Sequence, residues 1–136
     1  MLRFVKLPLL SMILVLYNMM YFSFGGDMSL MMSNELVGGF LFSGMYFSLV
    51  LEDALVMFGI VLLFFEIAKS TSTSRSTTVE HIFSMFIFII FLLEFILVPS
   101  FGTPAFLIIT LLALVDVLAG FTISISSARK DINVTR

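Results

Sequence analysis

Four apolar runs constrain this chain more than any other feature of its sequence. They cover residues 7–24, 49–68, 79–98 and 104–127 of the 136. Each run has close to the 20 helical residues that cross a hydrocarbon core of about 30 Å. Charged residues make up only 12% of the chain, whereas 60% of its residues are hydrophobic. The sequence therefore predicts an all-α, polytopic membrane protein, a single domain built as a four-helix transmembrane bundle.

Signals at the ends of the runs support this division. The TTVE sequence of residues 77–80 has the spacing of a capping box, and Thr103 precedes a proline at the first helical position of the last run. Residues 69–78 are polar and predict a loop. Residues 28–47 are Met- and Phe-rich and interrupted by glycines, and we interpret them as an external interfacial or re-entrant segment. Two crossings within residues 36–69, divided at Glu52 and Asp53, would leave helices of only about 23 Å each and would split the basic segments between the two sides.

The basic residues predict the orientation. All seven lie outside the apolar runs, at Arg3, Lys6, Lys69, Arg75, Arg129, Lys130 and Arg136. By the positive-inside rule, both termini and the 69–78 loop are cytoplasmic, which indicates a multi-pass membrane protein. The first run also has features of a signal peptide, with a basic start and small residues at Ser23 and Gly25. Its length favours retention, and cleavage would leave the other helices oriented as before.

Two carboxylates, Glu94 and Asp116, are the candidates for positions within the membrane, and we expect no basic residue to reach their depth. Counted from the external helix ends, Glu94 lies about 6 Å and Asp116 about 18 Å into the membrane. An ionised carboxylate there costs at least ~2.5 kcal/mol, which favours a protonated acid with a hydrogen-bond partner. The candidate partners at matching depths are Ser11 and Ser84 for Asp116, and Asn18 and Thr110 for Glu94.

Asp116 and Glu94 have two competing interpretations. In the structural one, Asp116 belongs to a helix-packing face whose members recur at spacings of three and four: Ala113, Gly120, Ser124 and Ser127. Small residues allow a neighbouring helix to approach closely, and the carboxylic acid then bonds to it. In the functional interpretation, the two carboxylates form a proton or cation relay, because intramembrane acids often mark such pathways. A site completed by a partner protein is a third alternative.

The remaining charged residues favour structural roles. Glu66 precedes Lys69 by three residues, which predicts a local ion pair at the membrane interface. Glu52 and Asp53 begin the second helix, where the helix dipole favours acids, although they could also line a vestibule for cations. His81 lies beside the cytoplasmic interface and is interpreted as incidental rather than as a pH sensor.

Several classes of function are disfavoured by composition. The chain has no Cys and one His, which excludes disulfides, thiolate metal sites and a zinc-binding histidine cluster. No nucleophile–base pair, phosphate-binding glycine loop or basic stripe is present in the sequence. We therefore expect no enzymatic activity, no cofactor, no metal and no nucleic acid. The expected partners are the lipid bilayer and either further copies of the chain or a larger membrane complex.

Three segments carry a family resemblance: FFEIAKSTSTSRSTTVEHIFSM, LLEFILV and LVDVLAGFTISISSARKD, within residues 64–131. They resemble small uncharacterised four-helix inner-membrane proteins of alphaproteobacteria, which implies a fold but no activity. The arrangement is also similar to phosphate-starvation-inducible small membrane proteins. Those carry an Arg in the third helix, where this chain has apolar residues and Glu94. Small multidrug-resistance transporters share the helix count and a membrane Glu, but their Glu lies in the first helix.

The expected function is a non-enzymatic accessory or assembly subunit of a membrane complex. The alternative is a small oligomeric proton-linked transporter or channel that uses Asp116 and Glu94. The surroundings of Asp116 discriminate between them. A carboxylate that faces other helices of its own bundle favours a structural role, whereas one that faces a water-filled cavity favours transport.

Overall fold

The computed structural model of the protein describes residues 7–72 and 77–134, apart from the side chains of Ser72, Thr77, Thr78, Ser127, Asp131, Asn133 and Val134. Five α-helices are formed: α1 (Ser11–Ser23), α2 (Ser29–Met32), α3 (Leu51–Ser72), α4 (Thr77–Leu97) and α5 (Pro104–Val134). Two strands, β1 (Glu35–Phe40) and β2 (Tyr46–Val50), form a hairpin, and a 3₁₀ turn covers Pro99–Phe101. The chain is mostly helical, as the predicted all-α class requires.

The long helix α5 is the centre of the bundle. It packs against both α3 and α4, while α1 packs against α4. At one end of the bundle, the Leu9 N–H donates to the Glu66 carboxylate near the end of α3. At the other end, the Ser100 hydroxyl donates to the carbonyl of Gly26, just after α1. The long helices therefore alternate in direction. We call these two ends the N-terminal end and the hairpin end.

Two helices are long and apolar enough to cross a membrane, within the part of the chain that the structure describes. They are Val79–Leu97 of α4 and Pro104–Lys130 of α5. The apolar helix α1 is shorter, at 13 residues. Helix α3 has 22 residues, with acids in its first turn and Lys69 in its last. The fold is thus that of a membrane-associated protein, and α4 and α5 are the helices whose length and composition suit a crossing.

The helix boundaries follow the sequence signals where those can be examined. The Thr103 hydroxyl accepts a hydrogen bond from the Phe106 N–H at 3.2 Å, and Pro104 is the first residue of α5, as predicted for a capped start. The side chain of Thr77, the first residue of the predicted capping box, lies outside the described residues. Helix α3 continues to Ser72, so that it extends into the segment predicted as a loop.

The hairpin covers Glu35–Val50, and most of it lies in the segment 28–47, which was interpreted as an external interfacial or re-entrant segment. Its last two residues, Leu49 and Val50, belong to β2 and not to the second helix that was predicted from residue 49. Gly44 adopts a φ of +82°, which suits glycine because it lacks a Cβ atom. Its N–H donates to the Leu41 carbonyl at 2.9 Å, and the Leu41 N–H donates to the Met45 carbonyl at 2.9 Å. This tight turn, flanked by aromatic and β-branched residues, explains the pairing of the strands.

Both faces of the hairpin are exposed. Every residue of β1 is exposed, as are the first three residues of β2. Phe40 is 79% exposed and Phe42 fully exposed. The run from Leu36 to Leu51 carries no charge. The Tyr46 hydroxyl donates to Glu35 at 2.9 Å above Gly38, and this hydrogen bond raises the pKa of the phenol. The hairpin is therefore an apolar projection at the hairpin end of the bundle.

An aromatic core fills the hairpin half of the bundle. Phe101 stacks on Phe106 with 4.8 Å between ring centroids, and Tyr17 meets Phe106 edge-on at 4.9 Å. Phe91 of α4 packs against the same Phe106 ring. Tyr17, Phe91, Phe101 and Phe106 are all at most 2% exposed. This core joins α1, α4 and α5.

Candidate functional site

The first polar cluster surrounds Asp116, which is 5% exposed. Its carboxylate is hydrogen-bonded to the side chain of Ser84 on α4. His81 and Ser84 lie three residues apart on α4, and Asp116 and Gly120 lie four apart on α5, so each pair occupies one helix face. The two faces meet. Asp116 therefore points toward a neighbouring helix of its own bundle, at the depth where the sequence analysis had placed Ser84.

A buried ion pair from α3 adjoins this cluster. Glu66 is only 3% exposed, and its carboxylate accepts from Lys69 Nζ at 2.6 Å and from the Leu9 N–H at 2.7 Å. Both Glu66 and Lys69 interact electrostatically with Asp116. The flexible stem of Lys69 lets its ammonium fold back along the helix toward the membrane interior.

His81 is also part of the Asp116 cluster. The residue is 7% exposed, and it interacts electrostatically with Asp116. Its ring lies directly on Gly120, where an added Cβ atom would overlap Nδ1. His81 was predicted to lie beside the cytoplasmic interface, with no functional role. Its spacing of three residues from Ser84 is the signal that could have placed it beside Asp116.

The second cluster, in the hairpin half, links α1 to α4. Asn18 Nδ2 donates to Glu94 Oε1 at 2.8 Å and to the Leu14 carbonyl at 3.0 Å. Glu94 Oε2 is buried and has no hydrogen-bond partner within the described residues. Asn18 had been proposed as a partner of Glu94 on the basis of depth. The structure brings the two together as an interhelical pair.

Tyr17 and Glu52 add to the second cluster. The Tyr17 hydroxyl and Glu52 Oε1 are buried, and neither has a hydrogen-bond partner in the described part of the chain. The two side chains interact electrostatically. Sequence reasoning missed this pair, because Tyr17 was counted with the apolar run and Glu52 with the helix start. An aromatic hydroxyl inside an apolar run is itself a signal, since a buried hydroxyl usually finds a partner.

Two of the proposed hydrogen-bond partners do not pair with a carboxylate. The Ser11 hydroxyl donates to the Pro8 carbonyl at 2.6 Å, and the Thr110 hydroxyl donates to the Phe106 carbonyl at 2.9 Å. Both bonds reach back three or four residues along the chain. This is a common geometry for Ser and Thr, whose short side chains reach the preceding turn of a helix.

The small-residue face of α5 is buried against neighbouring helices for most of its length. Ala113 is 2% exposed, and Gly120 is buried beneath His81. Ser124 is half-buried, and its Oγ atom is buried with no hydrogen-bond partner among the described residues. The side chain of Ser127 lies outside the described part of the chain. Where it is visible, this face therefore contacts protein rather than lipid.

The two clusters define a helical, membrane-associated protein with polar contacts between its helices. Among residues 7–72 and 77–134, no group of three or more His, Asp or Glu side chains could hold a metal ion.

Comparison of the chain with protein-family models, curated protein sequences and solved structures finds no match to any of them. The geometry of the chain itself must therefore support any proposal about its function.

Proposed function

We propose that the protein is a multi-pass protein of a bacterial inner membrane and acts as a non-enzymatic accessory or assembly subunit of a membrane complex. The observation that carries this proposal is the hairpin, which exposes apolar side chains on both faces. Exposed apolar surfaces of this kind are typical of interaction sites. The hairpin also leaves the outer edges of β1 and β2 unpaired, and such edges offer backbone groups to a partner strand.

The surroundings of Asp116 favour an accessory function over transport. Asp116 bonds to Ser84 of its own bundle, and Glu94 bonds to Asn18 of α1. Each carboxylate thus joins two helices, as expected of polar groups that hold a membrane bundle together. Asp116 and Glu94, the acids best placed for a proton relay, are thus already engaged in structural contacts.

Four crossings are the arrangement that we propose for the bundle. The alternating directions of α1, α3, α4 and α5 fit it, because the termini and the α3–α4 connection then share one side. Helix α3 carries its charges near its two ends, at Glu52 and Asp53 and at Glu66 and Lys69. Its apolar middle is short for a bilayer. Pairing of Glu66 with Lys69 lets the last turns enter the membrane at lower cost.

Topology is the first testable prediction. The three segments that hold the Lys and Arg residues should be cytoplasmic, because these residues determine orientation while Asp and Glu contribute little. Reporter fusions after residue 75 and at the C-terminus should be active in the cytoplasm, and a fusion after residue 27 should be active on the external side. An external residue 75 would contradict the four crossings.

The partner that we propose for the hairpin is another integral membrane protein with an apolar surface at the external interface. The uncharged run from Leu36 to Leu51 offers no salt bridge to a polar partner, and the hairpin leads directly into helix α3. A partner in the same membrane can cover both the apolar side chains and a strand edge.

Affinity purification from native membranes in mild detergent tests this function. The wild-type chain should retain a stoichiometric membrane partner. The double substitution Phe40→Ser and Phe42→Ser should reduce its recovery by about tenfold or more, as for central interface residues. Phe22→Ser is the matched control, because Phe22 is 76% exposed but lies on α1. Equal recovery with the double variant, or a wild-type chain that purifies alone, would count against the proposal.

The second candidate function is a small oligomeric proton-linked transporter or channel. Its support is the set of buried polar atoms without hydrogen-bond partners in the described residues: Tyr17 Oη, Glu52 Oε1, His81 Nε2, Glu94 Oε2 and Ser124 Oγ. Such atoms occur in both halves of the bundle, as a proton path would require. Proton flux into proteoliposomes is the direct measurement, and wild-type protein without flux would exclude this candidate.

A further inference from the structure

A cavity of about 130 Å³ lies between α4 and α5, on the side of His81 away from the core. Its walls are formed by His81, Ile82, Met85, Phe121 and Ser124. Three of these side chains are apolar. The other two bring polar atoms, His81 Nε2 and Ser124 Oγ, both buried and without a hydrogen-bond partner in residues 7–72 and 77–134. One cavity thus receives two unsatisfied polar groups from two different helices.

The energetics of these two atoms indicate what occupies the cavity. A buried polar atom without a hydrogen bond costs about 1–3 kcal/mol. A cavity needs roughly 10–15 Å³ to hold a water molecule, and the water needs two to four polar partners. The cavity has room for several waters, and His81 and Ser124 supply two partners. Waters that bond to each other and to these atoms would satisfy both.

We propose that this cavity is a water-binding site, in which water hydrogen-bonds to both His81 Nε2 and Ser124 Oγ. An imidazole nitrogen can donate or accept a hydrogen bond, and a hydroxyl can do both, so water can bridge the two groups. His81 lies three residues, or about one helical turn, from Ser84, the partner of Asp116. This inference does not depend on the accessory function.

The charged residues near His81 come from every helix packed around it. Asp116 faces it from α5, and Glu66 and Lys69 from α3 interact with the same Asp116 carboxylate. Glu80 precedes His81 on α4 and is 7% exposed. The water site thus adjoins a cluster in which acidic and basic groups interact.

The single His of the chain makes a site-specific test feasible. The hydrogen on the imidazole C2 carbon exchanges with deuterium only when the ring contacts water, and mass spectrometry of the full-length protein in detergent or lipid can follow it. The wild-type ring should exchange despite its burial. Ser124→Leu fills the cavity and should slow the exchange by about tenfold or more, in line with protection on exclusion of water. Ser126→Leu is the matched control, because Ser126 is exposed on the same helix.

The outcomes of this test can be told apart. A variant that fails to fold would exchange faster than the wild type, so misfolding cannot imitate the expected slowing. Met85→Phe fills the cavity from α4 and provides an independent second variant. Slowing by both substitutions, with Ser126→Leu unchanged, would support the water site. A wild-type ring that exchanges as slowly as the filled variants, or filled variants that exchange at the wild-type rate, would overturn it.

Discussion

Gly120→Leu is expected to destabilise the bundle by roughly 1–3 kcal/mol, the usual cost of inserting a side chain into a packed contact. Gly120 is buried, and even a Cβ atom at this position would overlap the His81 ring. The ring must move away from α5, which disturbs the contact between α4 and α5. Thermal unfolding in detergent measures the effect. Leu118→Phe is the control, because Leu118 is 55% exposed on the opposite side of α5.

A double-mutant cycle makes the Gly120 test specific. Gly120→Ala should lower the Tm, and His81→Ala should remove most of that loss, because the obstructing ring is then absent. Additive effects of the two substitutions would show that His81 is not the neighbour that restricts Gly120. Equal shifts in Tm for Gly120→Leu and Leu118→Phe would contradict a packing role of the small-residue face.

Asp116→Leu is expected to destabilise the bundle by about 0.6–2 kcal/mol, the range measured for interhelical hydrogen bonds in membranes. The substitution removes the bond between Asp116 and Ser84 and leaves the Ser84 hydroxyl without that partner. Asp116→Asn is the matched control. It keeps a donor and an acceptor at nearly the same volume, so its Tm should stay close to that of the wild type. Ser84→Ala should resemble Asp116→Leu.

The same variants separate the two candidate functions. Asn cannot ionise, so Asp116→Asn should abolish proton flux in a transporter while the protein remains folded. In an accessory subunit, Asp116→Asn should leave both the Tm and the recovery of the partner unchanged. A folded Asp116→Asn protein with wild-type flux would remove Asp116 from any relay. An Asp116→Asn protein that unfolds like Asp116→Leu would instead contradict the interhelical hydrogen bond.

The positions of the four long helices α1, α3, α4 and α5 were predictable, because each coincides with one apolar run of the sequence. The hairpin was not, since residues 28–47 combine a few exposed aromatic residues with glycines, a pattern that fits several irregular structures. The hairpin depends on the turn at Gly44. The positive φ of this one glycine leaves no repeating pattern in the sequence. Short strands that contact no core leave little periodicity for a sequence pattern to record.

The polar contacts were predictable in depth but not in rotation about the helix axis. Position along a helix placed Ser84 level with Asp116 and Asn18 level with Glu94, and the structure joins both pairs. Ser11 was at a suitable height but bonds to its own turn, because depth does not specify which side of a helix a residue occupies. Lys69 lies at the helix end, and its side chain folds back one turn to Glu66, a reach that a count of residues along the helix does not record.

The bond between Leu9 and Glu66 has a consequence for the order of events during biosynthesis. The two residues are 57 positions apart, so the N-terminal segment leaves the ribosome well before its acceptor exists. Synthesis proceeds at about 5–20 residues per second, which leaves α1 without this attachment for several seconds. Helix α1 can dock completely only after the end of α3 has been made. The first helix to be synthesised is therefore expected to be among the last to be locked in place.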